Sequence, residues 1–188
     1  MTEEIIIAGF GGQGVLSMGK ILAYSGIMQD EEVSWMPSYG PEMRGGTANV
    51  TVILSTERIS SPYLKVYDTA IILNQQSMDK FEKSVKPGGV LIYDPNGISH
   101  HPTRTDIKIY QIEGNKMAAE MGNKKIFNMI VLGGFLKIKP IVKLENVIEG
   151  LKKSLPERYH HLIPLNEEAI TKGMKNIVQY KVDNKVLS

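Results

Sequence analysis

Residues 5–14 read Ile5-Ile6-Ile7-Ala8-Gly9-Phe10-Gly11-Gly12-Gln13-Gly14, and a helix-patterned stretch starts at Val15. The apolar run ends in Gly9-x-Gly11-x-x-Gly14, so the order is strand, glycine turn, helix. In that order Gly9 permits a tight turn, Gly11 removes a side chain where backbone must approach a ligand, and Gly14 lets the helix lie close to the strand. The helix start offers unpaired N–H groups and the positive end of its dipole, a geometry that receives phosphate. The same pattern also serves a strand–helix unit whose glycines are there for packing alone. The turn names a binding geometry and no reaction.

Outward from the turn, the periodicity is that of an α/β protein. Val15, Met18, Leu22 and Gly26 recur at helical spacing and predict a helix over residues 15–28, after a strand at residues 4–8. Val33–Met36 reads as a second strand that stops at Pro37, and Thr47–Ser55, dense in β-branched residues, as a third. Residues 68–74 and 90–93 carry the continuous apolar runs of buried parallel strands, and residues 107–112 read as a further strand. A helix is expected over residues 77–85, stopped by Lys86-Pro87-Gly88-Gly89. Four more are expected at residues 115–121, 126–136, 143–155 and 166–180. Alternating strands and helices predict a single Rossmann-like domain over residues 1–188. Its sheet is expected to be mostly parallel, with helices on both faces and the C-terminal helices packed on it.

Composition narrows the function classes. The chain has 188 residues, 42% hydrophobic and 22% charged, which suits one soluble globular domain. A net charge of +2 gives no electrostatic case for nucleic acid as a partner. The absence of cysteine excludes disulfides, thiolate-held zinc or iron–sulfur clusters, and a cysteine nucleophile. Met1-Thr2-Glu3-Glu4 lacks the basic start of a signal peptide, and no apolar run approaches the roughly 20 residues that span a bilayer. A cytoplasmic protein with no membrane partner is the expectation.

The remaining motifs are weaker. A nicotinamide site places an acid at the end of strand two, yet that strand ends Trp35-Met36-Pro37-Ser38, and Asp30, Glu31 and Glu32 precede it. Gly14 to Lys20 satisfies G-x-x-x-x-G-K, but Ile21 replaces the hydroxyl that holds magnesium and the segment reads as helix. His100-His101 and His160-His161 are neighbours whose side chains point apart, so they read as solvated loop residues rather than metal ligands. Asp94 reads as a turn residue of Asp94-Pro95-Asn96-Gly97, and Ser17 has no evident base. The segment Ser38–Gly46 is different. Prolines 37 and 41 stiffen it, Gly40, Gly45 and Gly46 allow sharp turns, and Tyr39, Glu42, Met43 and Arg44 stand between them. Arg44 could fork onto a carboxylate or phosphate, or pair with Glu42 in a packed surface loop.

Taken together, the two loops resemble the gamma subunit of 2-oxoacid:ferredoxin oxidoreductases. The resemblance runs from Gly9–Gly14 and Trp35–Asn49 through Ser61-Pro62, Asp79-Lys80-Phe81-Glu82, Lys86–Gly89, Asn128-Met129 and Leu132-Gly133. It is stronger to the 2-oxoglutarate and branched-chain 2-oxoacid (2-oxoisovalerate) enzymes than to the pyruvate enzyme. It implies an assembly converting a 2-oxoacid, 2-oxoglutarate first among the candidates, to acyl-CoA, carbon dioxide and reduced ferredoxin. Thiamine diphosphate and iron–sulfur clusters are then expected on alpha and beta subunits, with a delta subunit as a further candidate partner. The isolated chain is expected to be inactive, with no catalytic residue and no metal of its own. Coenzyme A is a candidate ligand, because the equivalent domain of single-chain relatives is implicated in receiving it. Carried over by position, Gly9, Gly11, Gly12, Gln13 and Gly14 form a first loop facing the complex. Ser38, Tyr39, Gly40, Pro41, Glu42, Met43 and Arg44 form a second. Val50 stands where the family commonly shows a cysteine. A free-standing nucleotide-binding module is the alternative from another class.

Overall fold

The structure, a computed structural model, describes residues 1–38 and 46–182. Its centre is four parallel strands, β1 (Thr2–Phe10), β4 (Tyr67–Ile72), β5 (Val85–Tyr93) and β6 (Lys108–Gln111). Ile5, Ile6, Ile7 and Ala8 are all fully buried, as a strand covered on both faces requires. The edges run the other way. β3 (Thr47–Ser55) pairs antiparallel with β1, β2 (Glu32–Ser38) antiparallel with β3, and β7 (Val178–Tyr180) antiparallel with β6. The seven strands lie in the order β2-β3-β1-β4-β5-β6-β7. The expected parallel α/β sheet is therefore present at the centre and capped by antiparallel strands. The crossover through α1 (Val15–Ile27) skips a place, which β3 fills.

Helices cover both faces, unequally. α1, α3 (Gly114–Glu120) and α4 (Phe127–Ile138) share one core with the sheet residues Ile5, Ile7, Val50, Val52, Ile71 and Ile92. α4 is buried along residues 129–136 without a break, the pattern of a helix covered all round. α5 (Leu144–Ser154) packs on α1 and α6 (Ile163–Asn176) on α4, so the C-terminal helices form an outer layer. On the opposite face α2 (Gln75–Phe81) supplies Met78 and Phe81 against Ile6, Ala70, Leu91 and Tyr93.

Three local expectations change. Pro37 does not end β2; it pairs with Val50 inside it. An edge strand tolerates proline because one of its sides has no ladder to break. Lys86-Pro87-Gly88-Gly89 is an irregularity within β5, not a stop between helix and strand. Tyr67 faces Val85 while Thr69 already faces Val90, and Gly88 takes a φ of 76°. The last helix ends at Asn176, and Val178–Tyr180, expected as its final turn, is strand β7. No helix among the described residues is long and apolar enough to cross a membrane.

Candidate functional site at the glycine turn

β1 ends at Phe10 and α1 begins at Val15, so residues 11–14 form the turn between them. Gln13 braces it. Its Oε1 accepts from the Phe10 N–H at 2.6 Å, and its Nε2 donates to the Leu73 carbonyl at 3.3 Å, at the end of β4. The Leu73 N–H in turn donates to the Ala8 carbonyl at 2.9 Å, and the Gly11 N–H to the Gly46 carbonyl at 3.2 Å. The turn is thus tied to both neighbouring strands.

The glycines have different roles from those the motif predicts. Gly9 is still in the strand; a Cβ there would lie 2.5 Å from Gln13 Oε1 and 2.9 Å from Leu73 Cβ. Its smallness admits the Gln13 brace. Gly14 adopts φ 75°, ψ 20°, and a Cβ there would lie 2.3 Å from the Asn128 amide, so it lets α1 approach α4 rather than its own strand. Gly12 also has positive φ, but the space around its would-be Cβ is open.

The start of α1 carries no side-chain cap and no acidic residue in its first turn. Its first N–H groups have no partner within the helix and carry the positive end of its dipole. They open on a shallow hollow of about 320 Å³ whose wall includes Phe10, Gly11, Gly12 and Ser17. Phe10 is 42% exposed, unusual for its size and not foreseen from the motif. Together these groups form a surface that can accept an anion beside an apolar contact.

The second loop is framed here but not described. Ser38 ends β2 opposite Asn49, which on its other side faces Ala8, so Ser38 lies about 10 Å from β1 at the same edge. Gly46, at the loop's other end, receives the Gly11 N–H. Tyr39, Gly40, Pro41, Glu42, Met43 and Arg44 lie outside the described residues. Val50 is a fully buried strand residue.

Other candidates are structural. Asp94 is fully buried; its Oδ1 accepts from the Asn96 N–H, and its Oδ2 from the Asn115 N–H and side-chain amide, all within 3.0 Å. Burial pushes its carboxyl above the usual range, Asn115 and Asn96 pull it back, and the Glu113 charge adds a smaller upward push. This is the turn-residue reading, extended to cover the start of α3. Three of the histidines make side-chain hydrogen bonds, although His100, at 3.2 Å from the Ser99 hydroxyl, and His101 stay exposed. His101 Nδ1 meets the Tyr93 hydroxyl at 3.0 Å and its ring stacks on Tyr180, while His160 Nε2 reaches the Lys152 and Leu155 carbonyls at 3.0 Å. The G-x-x-x-x-G-K match falls inside the turn and α1, and the Asp30–Glu32 acids stand at the amino end of β2, opposite the end where a ribose grip is needed. Among the described residues no three His, Asp or Glu side chains gather as metal ligands.

Comparison with known proteins places this geometry. The ketoisovalerate oxidoreductase subunit VorA of Methanothermobacter thermautotrophicus is 39% identical over 130 residues, 69% of this chain; the chain spans only 27% of VorA's length. The 2-oxoglutarate synthase subunit KorC of Methanocaldococcus jannaschii is 33% identical over 160 residues, covering 84% of this chain and 86% of KorC. Among solved structures, the gamma subunit of a keto/oxoacid ferredoxin oxidoreductase from Geobacter sulfurreducens superposes with a TM-score of 0.80. It is 26% identical, covering 94% of this chain and 96% of that one. Residues 4–176, from the first strand through the last helix, match the family described as pyruvate ferredoxin/flavodoxin oxidoreductase. The glycine turn, the seven-stranded sheet and the outer helices all fall within that match, and the chain belongs to the pyruvate ferredoxin/flavodoxin oxidoreductase family.

Proposed function

We infer that this chain is the gamma subunit of a 2-oxoacid:ferredoxin oxidoreductase, and that its assembly converts 2-oxoglutarate to succinyl-CoA, carbon dioxide and reduced ferredoxin. The observation that carries the reading is coextension. This chain and KorC, a subunit of a 2-oxoglutarate synthase, correspond over 84% and 86% of their lengths. A branched-chain 2-oxoacid is the second reading, favoured by the higher identity to VorA over a shorter span.

The chain's chemistry suits a subunit without a reactive centre. It has no cysteine to hold an iron–sulfur cluster. The described residues bring no nucleophile and base together at the glycine turn. Decarboxylation of the 2-oxoacid is assigned to thiamine diphosphate on alpha and beta subunits, and electron transfer to clusters outside this chain. The part left to this chain is a wall. The exposed Phe10 supplies apolar contact, and the uncapped start of α1 supplies positive potential where coenzyme A would approach. Arg44, read from the sequence as an anion contact, would add to that potential.

The test is reconstitution. The chain is co-expressed with its neighbouring oxidoreductase subunits, and dye reduction is measured with 2-oxoglutarate, 2-oxoisovalerate or pyruvate in the presence of coenzyme A. The complex turns over 2-oxoglutarate fastest and the lone chain not at all. Turnover by the lone chain, or full activity of the other subunits without it, overturns the assignment. A preference for 2-oxoisovalerate selects the second reading. In the same assay Arg44→Ala raises the apparent KM for coenzyme A by about tenfold, the effect of one lost charged hydrogen bond. Unchanged kinetics remove Arg44 from the site.

A further inference from the structure

The turn after β5 reads Asp94-Pro95-Asn96-Gly97, and its Asn96-Gly97 step is the one Asn-Gly pair in the sequence. The fold leaves no freedom at position 97. A Cβ on Gly97 would lie 2.3 Å from the Leu73 carbonyl oxygen and 3.5 Å from Asn74 Cα, so the turn rests directly on the end of β4 and only glycine fits. Position 96 is different. Asn96 is exposed, and although its backbone N–H donates to Asp94 Oδ1 at 2.8 Å, its side-chain amide makes no hydrogen bond among the described residues and rotates freely in water.

These two positions meet in one reaction. The Gly97 nitrogen loses its proton and attacks Asn96 Cγ, the Cγ–Nδ2 bond breaks, and ammonia leaves. Water then opens the resulting succinimide at either carbonyl. One product is aspartate with the original main chain; the other is isoaspartate, whose main chain runs through the former side chain. Water is the only co-reactant, and nothing is oxidised or reduced. A Cβ at position 97 would shield the attacking nitrogen, and the Leu73 contact forbids one. The nitrogen reaches Cγ once the turn opens, and the turn is lightly held. The Gly97 N–H donates to the Asp94 carbonyl at 3.3 Å and the Ile98 N–H to the Pro95 carbonyl at 3.2 Å, at or past the long end of the usual range.

We propose that Asn96 is a modification site, converted through a succinimide to aspartate and isoaspartate, and that the isoaspartate form loosens the glycine turn. The path is short. Isoaspartate adds one atom to the main chain between positions 96 and 97, and Gly97 cannot absorb it while pressed on Leu73. The Leu73 carbonyl is the acceptor for Gln13 Nε2, so moving it removes an anchor of the turn that Gln13 braces.

The test is ageing of the full chain in mildly alkaline buffer, followed by peptide mass spectrometry and by methylation with an isoaspartate-specific carboxyl methyltransferase. The peptide that holds Asn96 gains one dalton and becomes a methyl acceptor before any other asparagine peptide does. In Asn96→Gln, where closure would need a six-membered ring, that signal disappears. Conversion at Asn96 no faster than at the other asparagines overturns the site. For the second half, the isoaspartate form is isolated by ion exchange and hydrogen exchange is read at the Phe10 amide, which donates to Gln13 Oε1. Exchange there rises about tenfold, the effect of one lost hydrogen bond. Asn96→Asp, which adds the charge without the extra main-chain atom, leaves it unchanged. Unchanged exchange in the isoaspartate form, or an equal rise in Asn96→Asp, overturns the link to the glycine turn. All readouts use the chain alone, so either failure leaves the subunit assignment standing.

Discussion

At the amino ends of β1, β4 and β5, charged side chains are paired across strands; at the carboxyl ends of β1 and β2 the chain leaves a helix start uncapped and a phenylalanine exposed. At the first end, Glu3 is 6% exposed, with Oε1 accepting from the Thr69 hydroxyl at 2.6 Å and Oε2 from Lys139 Nζ at 3.0 Å. Beside it Lys86 Nζ bridges Glu4 at 2.6 Å and Asp68 at 2.8 Å. Burial alone would lower the Lys86 ammonium, but its hydrogen bonds to Asp68 and Glu4 and their charges raise it overall. Its contribution is therefore complete at neutral pH and is lost only as pH climbs past the usual lysine value of 10.5. At the second end, the α1 start and Phe10 have no comparable partners among the described residues. The amino end is chemically closed and serves stability. The carboxyl end has no such closure on the β1 side among the described residues.

The comparison is broken most strongly at Gly14, where the open end is not free to vary. Gly14→Val combines a left-handed backbone with a side chain driven into Asn128, and should cost about 3 kcal/mol in urea unfolding. Gly12→Ala, strained but unobstructed, should cost only about 1 kcal/mol. Equal losses would mean that Asn128 yields and the α1–α4 approach is soft. At the closed end Glu3→Ala strands Lys139 and Thr69 and should lower stability by about 2 kcal/mol without affecting assembly with partner subunits.

Asp94 sharpens the contrast, because it closes the β5 corner of the open edge. Its raised pKa means that the folded state disfavours its charge. Stability should therefore rise as pH falls through the raised value toward 3.8, and gain nothing further from this group below it. Asp94→Asn should cost about 1–2 kcal/mol at neutral pH, through mismatched donors at Asn115, and abolish that part of the pH dependence. An unchanged pH profile would show that Asp94 titrates normally. The smallest effect on the fold is expected at Phe10. Phe10→Ser should move the stability of the isolated chain by no more than about 0.5 kcal/mol, yet weaken pull-down of partner subunits about tenfold. A large loss of stability with assembly intact would assign Phe10 to the core and close the open end.

The region from β1 to α1 was legible in the residues themselves. An unbroken isoleucine run, three glycines and a helical repeat act over a few neighbours, and local sterics and dipoles need nothing more. The buried strand β4, the second half of β5 and the limits of β3 followed from the same short-range signals. Residues 39–45, the most specific part of the resemblance, lie outside the described structure, so half of the candidate site rests on sequence. What the tertiary structure alone decided are contacts between distant residues. Gly9 is small because Gln13 must reach Leu73, 60 residues on, and Gly14 because Asn128 arrives from α4. β3 lies between β1 and β2, and Val178–Tyr180 is a strand because β6 offers a free edge. Such choices depend on which surfaces remain unpaired once the chain has collapsed, and a local pattern of residue types carries no record of that.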